Sequence, residues 1–293
     1  MFSFFGERGG RVLGPLGLAG LLSVAMAWST PGFGAPAPGK SGKGTPAEFL
    51  VYDSTSFSRK PNLAGYGFPA INIIYSGELW QQGESRDQPP GHDRLFLLDK
   101  KVGQDFSPTV IDIEHWPIQR ATKAEIQASV QKYLAVMDGL RKGAPNTRFG
   151  YYGMVPIRDY WRAIKGPADP EYKQWQAEND ALQALADSVD ILFPSIYTFY
   201  TDRKGWETYA IEQIREARRL AKGKPVYAFL WPNYHDSNKL LGGSPLPADF
   251  WQFELETMKR HADGVVIWDG ATTPWQDDSS WWQVTKSFLR NTQ

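Results

Sequence analysis

The chain contains no cysteine. That excludes disulfides, thiolate metal sites, a cysteine nucleophile and a lipidated cysteine behind an export signal. Histidine is nearly as scarce: four occur, at 92, 115, 235 and 261, and none forms a helical H-x-x-x-H ligand pair. There is no excess of either charge, with 32 basic and 32 acidic residues. No basic block is present, so nucleic acid is not an expected partner. No glycine-rich phosphate turn follows the first strand-like segment, where Asp53-Ser54-Thr55-Ser56 stands instead. Nothing in the sequence implies a metal or an organic cofactor.

What is present begins with an export-like leader. Arg8 and Arg11 precede an apolar run from Val12 to Ala27, broken by Gly14, Pro15, Gly17 and Gly20. Ala25-Met26-Ala27 fits a small-x-small cleavage site. The expectation is a signal peptide over 1–27 and a Pro/Gly/Ser/Thr-rich linker over 28–46. A folded domain then covers 47–293, outside the cytoplasm and with no stable membrane anchor after cleavage.

The centre of that domain is Thr109-Val110-Ile111-Asp112-Ile113-Glu114-His115-Trp116-Pro117. Its β-branched first half reads as a buried strand that Pro117 ends. Side chains alternate along a strand, so Val110, Asp112 and Glu114 share one face. Two carboxylates then lie roughly 6–7 Å apart at Cα at the strand's C-terminal lip. Buried charge is costly unless paired, so the two are expected to share a proton, with Glu114 raised by Asp112. A carboxylic acid held protonated beside an ionised partner is what glycosidic-bond protonation needs. The alternative is a structural Asp-x-Glu cap paired with nearby cations.

Seven strand-like segments are read from the chain: Glu48–Asp53, Ala70–Ser76, the central stretch, Arg148–Gly153, Asp190–Tyr197, Pro225–Trp231 and Gly264–Asp269. Residues 54–69 and 81–94 read as loops. Helices are predicted over 123–142, 171–188, 205–222, 248–262 and 280–289. The first opens on a Thr122/Glu125 capping box and carries an Ile126, Val130, Tyr133, Leu134, Met137 stripe. Alternating apolar strands and helices predict an α/β fold, a TIM-like (β/α) barrel of about seven parallel strands. A doubly wound open sheet is the alternative.

In such a barrel the site gathers at the C-terminal strand ends. Those ends carry Tyr52 and Asp53, Tyr75 and Ser76, Asp112, Glu114 and Trp116, Tyr151 and Tyr152, Ser195 and Tyr197, Trp231, Tyr234 and His235, and Trp268 and Asp269. Aromatic rings stack on the apolar faces of sugars, and tyrosine hydroxyls bond their polar edges. A polysaccharide or oligosaccharide is therefore the expected partner.

Four segments, in order, resemble the hyaluronidases, the glycoside hydrolase family of animal and venom enzymes. The family's V-I-D-W-E-x-W is matched by Val110-Ile111-Asp112-Ile113-Glu114-His115-Trp116. Its G-Y-Y-G-F-P is matched by Gly150-Tyr151-Tyr152-Gly153-Met154-Val155-Pro156, and its L-x-P-S-I-Y by Leu192-Phe193-Pro194-Ser195-Ile196-Tyr197. Its late G-V-I-L-W is matched by Gly264-Val265-Val266-Ile267-Trp268. The resemblance implies a distorted barrel and a retaining, substrate-assisted hydrolysis. By the same resemblance Glu114 is the acid/base, Asp112 orients an acetamido group, Tyr197 supports that group and Trp268 walls its pocket. The family's second site tyrosine falls at Trp231 or Tyr234. Tyr151, Tyr152, Trp116, Asp269 and Asp53 complete the candidate substrate-binding set. The chain departs from the pattern at Ile113, where the family has tryptophan, at Pro117, where arginine is common, and in lacking the family's disulfides. Two other functions fit the same residues. One is a glycosidase without acetamido assistance, using Asp53 or Asp269 as a further carboxylate. The other is a non-catalytic carbohydrate-binding barrel.

Overall fold

All laddered strands run parallel. They are β1 (Leu50–Thr55), β2 (Asn72–Tyr75), β3 (Thr109–Asp112), β4 (Phe149–Tyr151), β5 (Tyr227–Leu230) and β6 (Gly264–Asp269). The computed structural model describes residues 48–102 and 108–292. The expected leader and linker, 1–27 and 28–46, lie outside the described residues.

The ladders make two three-stranded sheets, in the orders β1-β6-β5 and β2-β3-β4. Isolated parallel bridges lie between them: Asp53 to Ala70, Tyr152 to Phe193, Leu192 to Val226 and Ser195 to Phe229. The parallel α/β order is as expected; of the seven expected strands, six form ladders among the described residues. The segment 190–197 makes bridges only. Pro194 has no N–H to donate, so a regular ladder cannot run through it. Its carbonyl still accepts from Phe229 N–H at 2.8 Å. The segment comes very close to β4, and Gly150 permits it: a Cβ there would stand 2.2 Å from the Ile191 carbonyl oxygen.

Period-two alternation sorts the strand side chains into two apolar layers. Tyr52, Val110, Tyr152, Phe193, Phe229, Trp231 and Val266 pack together on one side. Val51, Ile111, Ile113, Tyr151, Leu230 and Ile267 face the other way, into the layer shared with the helices. Burying Ile111 and Ile113, both at 0 % exposure, contributes about 1.5–3 kcal/mol each. That burial sets the register and so the direction in which Asp112 points.

The helices follow their sequence signals closely. Between β2 and β3 lie α1 (Ser76–Leu79) and α2 (His92–Val102). α3 (Lys123–Gly143) is capped as predicted, with Thr122 Oγ1 accepting from Glu125 N–H at 3.3 Å and Glu125 accepting from Thr122 N–H at 2.8 Å. After β4 come α4 (Tyr160–Ala163), α5 (Pro170–Asp180), α6 (Gln183–Ser188) and α7 (Arg203–Ala221). α8 (Ala248–His261) and α9 (Ser280–Arg290) complete the set. Two expectations change. The loop read over 81–94 becomes α2 from His92 onward, because Leu95 and Leu98 bury against the helix layer. Gly139 of α3 makes room for Leu95, whose Cδ1 would stand 2.4 Å from a Cβ there. The single helix read over 171–188 breaks after Asp180, where Leu182 N–H turns back to the Asn179 carbonyl at 2.9 Å. Among the described residues, no helix is long and apolar enough to cross a membrane.

Candidate active site

The central carboxylates sit where β3 stops. Asp112 is its last residue and half-buried, and Glu114 lies just beyond it, exposed. The chain here is pinned from two sides. Ser76 Oγ donates to the Asp112 carbonyl at 2.9 Å. Tyr133 of α3, fully buried, directs its hydroxyl at the Ile113 and Trp116 carbonyls, 3.0 and 3.1 Å away. Trp116 packs against Tyr133 and Trp80, with ring centroids 5.1 and 5.6 Å away, and its indole N–H donates to the Arg86 carbonyl at 2.6 Å. Glu114 thus hangs from a fixed backbone with its side chain free of the core.

A cavity of about 190 Å³ opens beside the pair. Asp112, Glu114, Tyr152, Arg158, Tyr197, Trp231, His235, Asp236 and Trp268 line it, with Ile73 and Phe229. Tyr197 stacks on Trp268 at 6.0 Å and 25°, and Trp231 meets Trp268 edge-on at 5.2 Å and 72°. A second recess of about 160 Å³ shares Glu114, Tyr152 and Arg158, and adds Trp116 and Ser195. Together they make a cleft with an aromatic wall and a carboxylate floor.

Burial governs the electrostatics. It pushes the Asp112 carboxyl up to about 6, with the Glu114 charge adding to the effect. Asp112 is the deeper of the two, and desolvation outweighs repulsion. Burial also drives the Tyr197 and Tyr152 phenols up, so both stay neutral hydroxyls that can donate. His235 is pushed down by burial and by Arg158. Its Nδ1 accepts from Ser237 N–H at 3.1 Å, which assigns the proton of the neutral ring to Nε2. Trp231 is 8 % exposed, and its indole N–H has no hydrogen-bond partner among the described residues.

Of the residues expected here, Asp112, Glu114, Tyr152, Tyr197, Trp231 and Trp268 meet in the cavity, and Trp116 borders the adjoining recess. Four do not. Tyr151 points into the helix layer and donates to the Tyr133 carbonyl at 2.7 Å. Asp53 accepts from Thr55 at 2.8 and 2.9 Å and pairs with Lys60 at 2.6 Å. Asp269 accepts from Asn233 Nδ2 at 2.9 Å and Ala271 N–H at 2.8 Å. Tyr234 is buried with the helix layer, so of the two candidates for the second aromatic position it is Trp231 that lines the cavity. Tyr151, Asp53 and Asp269 each have the wrong parity along their strands: they alternate with Tyr152, Tyr52 and Trp268.

Arg158 was not anticipated. It lines both recesses, donates to Ser195 Oγ at 3.3 Å and lies over the Phe199 ring at 5.5 Å. It has no carboxylate partner within ion-pair range among the described residues. The available signal was a lone cation following the apolar run Met154–Ile157 just past a strand end. Among the described residues, no three His, Cys, Asp or Glu side chains gather as a metal cluster.

No family model matches the chain. Curated relatives do. A hyaluronidase of Polybia paulista is 27% identical over 184 residues, covering 59% of this chain and 62% of the relative. A hyaluronidase of Polistes annularis is 26% identical over 185 residues, covering 59% and 48%. The chain is hyaluronidase-like. It spans about half to three-fifths of the length of the curated relatives it matches. One of these, from Vespula vulgaris, is an inactive hyaluronidase B, 25% identical over 186 residues. Among solved structures, bee venom hyaluronidase shares the fold at a TM-score of 0.58 and 16% identity, over 83% of this chain and 98% of that one. A second bee venom hyaluronidase structure, in complex with a hyaluronic acid tetramer, gives a TM-score of 0.57 at 17% identity, over 83% and 95%. The hyaluronidase-like chain thus has an aromatic-walled carboxylate cleft on a hyaluronidase-like fold.

Proposed function

We propose that this protein is an exported glycoside hydrolase that cleaves an N-acetylhexosamine-containing polysaccharide by a retaining, substrate-assisted route. The parallel strands and the bridging segment 190–197 are read together as a distorted seven-stranded barrel covering 47–293. Glu114 protonates the leaving oxygen and later activates water. Asp112, once ionised, takes the acetamido N–H and steadies the positive charge that grows as the acetamido oxygen attacks the anomeric carbon. No enzyme nucleophile is required. Tyr197 donates to the acetamido oxygen, Trp268 and Trp231 wall its pocket, and Tyr152 supports Tyr197.

The observation that carries this reading is the pairing in one cavity of the raised Asp112 carboxyl with exposed Glu114, under the Tyr197–Trp231–Trp268 wall. Hyaluronan is the first candidate substrate, since the relatives are hyaluronidases. The test is reducing-end release from hyaluronan, chondroitin and chitin oligomers by the wild type and Glu114→Gln. The amide keeps the shape and removes the proton donor, so turnover should fall by about 10²–10⁴. Equal turnover by both proteins would reject Glu114 as the acid.

A second reading has one observation in its favour: a curated relative is an inactive hyaluronidase. On that reading the cleft binds polysaccharide without cutting it. Wild-type binding with no reducing ends released from any of the three polymers would select it.

A further inference from the structure

Single exposed aromatic residues are common and need no explanation, whereas contiguous ones continuous with a cleft mark binding surfaces. Trp161 is 60 % exposed and Tyr200 is 40 % exposed, and their ring centroids lie 5.4 Å apart. Both follow C-terminal strand ends, Trp161 in α4 after β4 and Tyr200 after segment 190–197. They therefore sit on the rim that carries Glu114. A run of rings connects them to the cavity. Tyr197 is 6.0 Å from His235, His235 is 4.8 Å from Phe199, and Phe199 is 6.4 Å from Tyr200. Tyr197 and His235 line the cavity itself, and Arg158 lies over Phe199.

The mount under this pair is rigid. Tyr160, next to Trp161, is buried and packs on Tyr209 of α7 at 5.3 Å. Arg162, on its other side, is fixed by Asp159 and Glu178, both at 2.8 Å. A tryptophan held open on a fixed turn offers a face without a large ordering cost, which is what stacking a sugar ring requires.

We propose that Trp161 and Tyr200 form a distal sugar-binding subsite that holds the same polysaccharide chain beyond the reach of a tetrasaccharide seated over Glu114. This rests on the glycosidase reading above. The substrate then enters the cleft as a polymer, tethered on the aromatic platform while one glycosidic bond lies over Glu114. A tetrasaccharide bound only at the cavity would not use the platform.

Hyaluronan, chondroitin and chitin, each as polymer and as tetrasaccharide, are the probes. On a polymer that the wild type cleaves, Trp161→Ala should raise KM about 3–10-fold with kcat unchanged, the loss of one stacking contact. On the tetrasaccharide it should change neither constant, and Trp161→Phe should restore most of the polymer affinity. Tyr200→Ala, at the neighbouring position, serves as the second variant if Trp161→Ala folds poorly. Should the wild type bind without cleaving, retardation in polymer-containing gels replaces KM, and the same variants should lose it. Unchanged KM and retardation in both variants would overturn the subsite and leave the glycosidase reading standing. Equal losses on polymer and tetrasaccharide would also overturn it, since Trp161 would then act through the cavity. A wild type that neither cleaves nor binds any of the three polymers would overturn both readings.

Discussion

Asp112→Asn should make the folded protein more stable and the enzyme inactive. Burial lifts the Asp112 carboxyl from 3.8 to about 6. Between those values the folded state binds the proton more tightly than the unfolded chain does, so stability falls as pH rises through that window. Above it the ionised carboxylate destabilises the fold by at most about 3 kcal/mol, at 1.36 kcal/mol per pH unit. Asparagine keeps the volume and carries no charge. Among the described residues, Asp112 makes no side-chain hydrogen bond that the amide would break, since its contact with Ser76 is through the carbonyl. The variant should therefore match the wild type near pH 4 and exceed it progressively up to pH 7, by a few degrees in melting temperature for a domain of this size. Urea denaturation at pH 4, 5, 6, 7 and 8 measures the difference directly. A gap between the two proteins that is the same at pH 4 and pH 8, or a variant less stable at pH 8, would refute the reasoning. Turnover lost together with stability gained is the signature of a residue held in place for chemistry.

The same ionisation should appear in the rate. On the proposed reading Asp112 must be charged to accept the acetamido N–H, so kcat/KM should fall as pH drops through about 6, the value to which burial raises it, and an acid limb near 4 would refute this. Tyr133→Phe removes the hydroxyl that meets the Ile113 and Trp116 carbonyls. It should lower stability by about 1–3 kcal/mol and reduce kcat more than KM, because Glu114 loses its fixed backbone; an unchanged kcat would show that the rim holds itself.

The strand–helix order was legible because apolar runs of period two and amphipathic stripes of period 3.6 are both plain in the chain. The carboxylate pair was legible for the same reason: Val110, Asp112 and Glu114 share a parity that buried Ile111 and Ile113 enforce. That rule, applied to every strand end, would have removed Tyr151, Asp53 and Asp269 from the candidate site. Strand ends name a rim, and parity names the side of the rim. The segment 190–197 read as a strand because its hydrophobicity is continuous, but pairing depends on the N–H that Pro194 lacks. Arg158 and Trp161 were hidden for another reason. They stand in connections whose course no local pattern fixes. Their place beside Phe199 and Tyr200 comes from the close approach of 190–197 to β4 at Gly150.

The cleft's charges bear on which sugars it could hold. Asp112, Glu114 and Asp236 carry the acidic groups and Arg158 the cationic one, with His235 kept neutral. An anionic sugar over the two carboxylates would meet repulsion in a partly desolvated space, where charges are weakly screened. On the proposed reading, the sugar over Asp112 and Glu114 is therefore uncharged, as an N-acetylhexosamine is. A carboxylate on its neighbour has a favourable place against the guanidinium of Arg158, which has no carboxylate partner among the described residues. That group borders both recesses and leans on Phe199, the ring that leads outward to Tyr200. Neutral and acidic sugars in alternation would fit this spacing of charges. A polymer acidic at every residue would be opposed at the catalytic pair, whatever its attraction to Arg158.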